Sequence, residues 1–255
     1  MNSNAISKFV KMFKDEINAN QWAQIYFTLP DKFSMFEVSD ITKFLHLCEI
    51  FPEDYLTEIP RGFFFSNNDL TNYTIHKNIT TIDPYAFNSA KNLKTVKISS
   101  DLELIDVAAF QNCESLTSIV IPDTCNTIKN SAFMNCKQLQ KVKLPKSLTM
   151  IDQTVFCNCT SLVQVTIPDA VGIISTSAFD GCSGLKKVIL PKNLTVIESN
   201  AFFNCKNLEV LVYPYTASQF ATYVECQKGW NAYCPKLSKI ICSDKQWSFE
   251  NENNA

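Results

Sequence analysis

Isoleucine returns every 23 residues, at Ile82, Ile105, Ile128, Ile151, Ile174 and Ile197, without a slip. A fixed period of that length means one short unit is copied and stacked, so the chain builds a solenoid rather than a single rounded core. Two further columns run in the same register: Phe64, Phe87, Phe110, Phe133, Phe156, Phe179 and Phe202, and Leu70, Leu93, Leu116, Leu139, Leu162, Leu185 and Leu208. A degenerate first copy begins at Ile59, with Asn67 where later copies carry cysteine and His76 where they carry proline.

Each unit holds two periodicities. Val-x-Ile and its equivalents, such as Val142-Lys143-Leu144 and Val165-Thr166-Ile167, alternate every second residue, which predicts a short strand with one face inward. Pro122, Pro145, Pro168, Pro191 and Pro214 follow these runs; proline has no N–H for a ladder, so it ends the strand. Ala-Phe-x-x-Cys-x-x-Leu has apolar residues three and four apart, which predicts a short helical turn on the return side. Leu148 to Ile151 and its equivalents add a second extended segment. One coil cannot bury enough apolar surface to hold itself, so stability must reside between coils.

The flanks break the period. Residues 1–58 carry two helical patterns, Ile6, Phe9, Val10, Phe13 and Ile17, then Ile41, Phe44, Leu45 and Cys48 after Ser39-Asp40, and read as a helical N-terminal cap. Residues 59–219 hold seven repeats. After Pro214 the columns resume at Cys234, Leu237 and Ile240 only with six extra residues, which makes 220–243 a C-terminal capping repeat closed by Phe220, Tyr223 and Trp230. The polar, Asn-rich residues 244–255 are expected to form a mobile tail.

Composition excludes several functions. A formal charge of −2 provides no bulk basic field for a polyanion, so nucleic acid is not an expected partner. The N-terminal residues lack the apolar core of an export signal, and no apolar run reaches the roughly 18 residues of a membrane span. The expected location is cytoplasmic, with the chain monomeric on its own. Eleven cysteines are an odd total, and Cys113, Cys136, Cys159, Cys182, Cys205 and Cys234 share one column, so reduced, buried thiols are expected. Cys157 and Cys226 fall off the column and are expected to be exposed. Four Asn-X-Thr sequons stand at Asn72, Asn78, Asn158 and Asn193.

No catalytic constellation emerges. The two histidines, His46 and His76, are far apart and lack a local nucleophile or metal partner, and five glycines cannot supply a phosphate loop. The cysteine column accepts Ala90 and Asn67 and lacks Cys-x2-Cys knuckles, so neither metal nor cofactor is expected. Binding is better supported. Strand residues that flank the inward Val and Ile form two outward columns: Thr95, Ser118, Lys141, Gln164, Lys187 and Val210, and Lys97, Val120, Lys143, Thr166, Ile189 and Val212. The first half is polar and basic; Ile189, Val210 and Val212 make the second half apolar. That apolar half reads either as a contact site or as β-forming residues covered by the C-terminal cap.

These columns resemble the BspA-like leucine-rich repeats of 23 residues, with Ala178-Phe179, Cys182, Leu185, Val188, Leu190 and Pro191 carrying the pattern across about residues 59–242. The resemblance implies a right-handed α/β repeat superhelix with a continuous parallel sheet on its concave side and short helical or irregular convex turns. It further implies that the sheet binds other macromolecules; with no catalytic constellation in the sequence, the expected role is a non-enzymatic module with a protein partner. Because several members of the class are surface antigens or adhesins, cell-surface display is the alternative expectation.

Overall fold

The structure is a computed structural model that describes residues 57–98 and 101–248. The helices expected before residue 57, His46 among them, and residues 249–255 of the expected tail lie outside the described residues.

Each coil contributes two short strands, and the coils stack as a parallel β-solenoid. The longer strands are β2 (Asn72–Ile75), β4 (Thr95–Ile98), β6 (Ser118–Val120), β8 (Lys141–Lys143), β10 (Gln164–Thr166), β12 (Lys187–Ile189), β14 (Val210–Val212) and β16 (Lys239–Ile241). The shorter ones are β1 (Glu58–Ile59), β3 (Thr81–Ile82), β5 (Leu104–Ile105), β7 (Thr127–Ile128), β9 (Met150–Ile151), β11 (Ile173–Ile174), β13 (Val196–Ile197) and β15 (Glu225–Cys226). Neighbours pair in parallel one repeat apart, as in Val165 with Val188 and Val188 with Leu211. The resemblance implies a continuous sheet. In fact both ladders are divided: β8 is not bonded to β10, nor β7 to β9.

Alternation explains the strands. Val96, Ile119, Val165, Val188, Leu211 and Ile240 are buried while their neighbours along each strand face outward. The phenylalanines form one column inside, with the rings from Phe64 to Phe202 stacked 4.9 to 5.6 Å apart between centroids. Trp230 ends the column, meeting Phe202 edge-on at 82°.

The return side is not helical. Its turns hold two left-handed residues per coil, four apart, for example Ala108 (φ 53°) with Asn112 (φ 60°) and Ser131 (φ 58°) with Asn135 (φ 61°). Asparagine tolerates this conformation better than most side chains, and the side chains of Asn158, Asn135 and Asn112 bond in sequence at 3.0 and 2.8 Å. Left-handed residues reverse the chain within each turn, so a three-and-four apolar spacing arises without a helix. Backbone N–H groups then reach the next coil, as Phe110 does to the Ala132 carbonyl at 2.8 Å.

The six extra residues lie before β15, where α1 (Ala217–Tyr223) opens on a capping box between Thr216 and Gln219. Phe220 of α1 is buried against Tyr213, with centroids 5.0 Å apart. The coil then resumes in register, Val196 facing Glu225 and Val210 facing Lys239. β17 (Gln246–Ser248) pairs antiparallel with β16.

Candidate functional site

The outward positions of the longer strands form one face. Thr95, Lys97, Ser118, Val120, Lys141, Lys143, Gln164 and Thr166 are exposed, whereas Lys187, Ile189, Val210 and Val212 are half-buried. Val120 is the most open apolar residue there, at 58%. The apolar half is thus partly covered. At either end the face also includes Asn72 and Thr74, and Lys239 and Ile241. Lys239 and Ile241 escaped the column reading because the six extra residues shift them; counting 29 residues from Val210 and Val212 finds them.

Charge is segregated on this face. Among the described outward positions of the longer strands stand Lys97, Lys141, Lys143, Lys187 and Lys239 and no carboxylate, in a chain of net charge −2. The acids are elsewhere. Asp83, Asp106, Asp152 and Glu198 form a column just after the shorter strands, where burial, with the charges of Glu58 and Asp106, pushes the Asp83 carboxyl up. Surface ion pairs clip neighbouring coils together at Glu114 with Lys91 and Lys137, Asp123 with Lys146, and Asp169 with Lys192. None of these uses a lysine of the strand face. The Asp123 carboxyl is held below its usual range chiefly by the Lys146 N–H, with Lys143 adding a smaller attraction.

The cysteine column has a structural role that the sequence does not disclose. Each thiol donates to the phenylalanine carbonyl of the preceding coil: Cys113 to Phe87 at 3.1 Å, Cys136 to Phe110 at 3.2 Å, Cys159 to Phe133 at 3.3 Å, Cys182 to Phe156 at 3.0 Å, Cys205 to Phe179 at 3.1 Å and Cys234 to Phe202 at 2.8 Å. Burial pushes the Cys113, Cys136, Cys159, Cys182 and Cys205 thiols well up. Such groups are poor nucleophiles, because the thiolate is the reactive form. The expectation for Cys157 is corrected: it is buried, and burial pushes it up to about 11. Its side chain enters a turn position filled elsewhere by Asn88, Gln111 or Met134. Cys226, on β15, is exposed as expected.

Among the described residues no group of three or more His, Cys, Asp or Glu side chains is placed to hold a metal ion, and no helix is long and apolar enough to cross a membrane. His76 sits half-buried just beyond β2. An open cavity of about 600 Å³ is lined by Lys77, Asn78, Thr80, Asp101, Glu103, Thr124 and Asn126.

Comparison with known proteins agrees with this geometry. The family model for the BspA type leucine rich repeat region matches in 6 copies over residues 19–136 and 104–228. The crystal structure of the T. pallidum leucine rich repeat protein TpLRR is 28% identical, with a TM-score of 0.60, and the match covers 66% of this chain and 78% of that one. A leucine-rich repeat protein from Eubacterium ventriosum is 25% identical, with a TM-score of 0.57, covering 72% of this chain and 46% of that one. A leucine rich cell surface protein from Faecalibacterium prausnitzii is 28% identical, with a TM-score of 0.47, covering 61% and 51%. The chain therefore spans about half the length of the latter two. No curated protein matches it.

Proposed function

The chain belongs to the BspA-type leucine-rich repeat family, and on that premise we propose that it is a non-enzymatic protein-interaction module, which binds an acidic partner surface through the outward face of its longer strands. The observation that carries this reading is the segregation of Lys97, Lys141, Lys143, Lys187 and Lys239 on a face without carboxylates, within a net acidic chain. Charges so arranged steer and orient a partner of opposite sign. Ile189, Val210 and Val212 add apolar area at one end of the face, where a contact gains most from excluding water. The module works in the cytoplasm, as a monomer until it meets its partner.

Capture from native lysate tests the proposal. The wild-type chain and a Lys141→Glu, Lys143→Glu, Lys187→Glu variant are immobilised side by side and the retained proteins identified. The wild type retains an acidic protein that the variant loses while keeping its melting temperature. Equal retention by the two would move the site to another face.

A second reading, display at the cell surface as an adhesin or antigen, draws on the sequon at Asn193, where both Asn193 and Thr195 are exposed. Surface biotinylation of intact cells separates the two: labelled chain supports display, and its absence from the labelled pool contradicts it.

A further inference from the structure

The step between the coil that holds β7 and β8 and the coil that holds β9 and β10 differs from the steps on either side of it. Ahead of the shorter strands, Asn126 N–H reaches Glu103 O at 3.0 Å and Gly172 N–H reaches Thr149 O at 2.9 Å. Just after them, Lys129 bonds to Ile105 and Ser175 to Ile151, both at 2.9 Å. On the longer ladder, Gln140 bonds to Thr117 at 2.9 Å and Lys186 to Val163 at 2.8 Å, while Ile121 bonds to Lys143 at 3.0 Å and Ile167 to Ile189 at 2.9 Å. The four equivalents at this step, from Thr149, Asp152, Val163 and Leu144, are missing among the described residues.

The turn side of the same step stays closed. Ser131 bonds to Gln153 at 3.0 Å, Phe133 to Val155 at 2.9 Å and Asn135 to Cys157 at 2.8 Å, and Asn158 still bonds to Asn135. Phe133 and Phe156 have the widest ring separation in the column, 5.6 Å. Val142 is half-buried, where Ile119 and Val165 on either side are buried.

We propose that this step is a joint: the coils up to β8 and those from β9 onward are two rigid stacks, held along the turn side and able to open and close along both ladders. The wedge is Val155: in the coils on either side that inward position is Ala109, Ala132, Ala178 or Ala201, all buried, and the larger Phe63 and Trp230 occupy it only in the first and last described coils. Thr154 beside it is β-branched and left-handed, at φ 53°. The joint divides the strand face, with Lys97, Lys141 and Lys143 on one stack and Lys187 and Ile189 on the other. It rests on the missing backbone bonds and the packing at this step, and stands whether or not the face binds an acidic partner.

Amide hydrogen exchange on the full chain tests it. The amides of Leu144, Thr149, Asp152 and Val163 are expected to exchange at least about tenfold faster than those of Ile167, Gly172, Ser175 and Lys186. Equal protection of the two sets would overturn the joint. Val155→Ala is expected to slow the first set towards the second, and unchanged exchange in that variant would overturn the assignment of the wedge. As an independent readout, oxidation is compared for the pair Lys141→Cys with Gln164→Cys and the pair Ser118→Cys with Lys141→Cys, which spans a closed step. Slower crosslinking of the first pair supports the joint, and equal rates contradict it.

Discussion

The ring of Phe133 lies over that of Phe156 with centroids 5.6 Å apart and planes 5° from parallel, and the Phe133 carbonyl accepts the thiol of Cys159 from the same coil as Phe156. Side chain and main chain of one residue thus fasten two coils together. In a solenoid such contacts between neighbours supply the stability that a single coil lacks.

Phe156 is fully buried, so Phe156→Ala removes a ring that two neighbours stack on. The expected loss is about 3 to 5 kcal/mol, since the rigid column cannot collapse around the void. Denaturant titration measures it, and a wild-type transition would undo the column assignment.

The thiol column is expected to behave as a set of hydrogen-bond donors. Cys136→Ala should cost about 1 to 2 kcal/mol, for one lost bond to the Phe110 carbonyl and a cavity of one atom. In the folded protein a thiol reagent should label Cys226 and leave Cys136, Cys159 and Cys182 untouched until denaturant is added. Rapid labelling of the column would contradict its burial.

Two glycines separate a yielding neighbour from a fixed one. A Cβ at Gly184 would strike the backbone carbonyl of Thr160, whereas one at Gly181 would meet the side-chain oxygen of Asn158. Gly184→Ala is therefore expected to lose about 1 to 3 kcal/mol. Gly181→Asn, which restores the residue found at Asn135 and Asn204 in the same left-handed column, should fall within about 1 kcal/mol of wild type. Thermal melts of both variants check the contrast; a reversed order would refute it.

Where a side chain's environment repeats, the sequence discloses it. Phe87 to Phe202 and the strand alternation could be read directly because each residue sees the same neighbours one coil away. The turn could not: Ala-Phe-x-x-Cys-x-x-Leu has helical spacing, and only backbone angles such as the φ of 60° at Asn112 distinguish two left-handed reversals from a helix. The thiol bonds were hidden because a buried cysteine and a buried alanine look alike in a column that accepts both. The divided ladders could not be read because β7, β8, β9 and β10 carry the same column pattern as the strands that do pair. Lys239 was missed for a topological reason, since α1 adds residues without disturbing register.

The most direct measurement of the binding proposal is the dissociation constant of the captured acidic partner, for wild type and for the Lys141→Glu, Lys143→Glu, Lys187→Glu variant, at low and physiological salt. Contact through exposed lysines is screened by ions within about 8 to 10 Å at physiological strength. Wild-type affinity should fall as salt rises, and the variant should bind at least about tenfold more weakly with an unaltered melting temperature, a difference of about 1.4 kcal/mol. Equal affinity for the two chains at both salt concentrations would contradict a binding site on the lysine face.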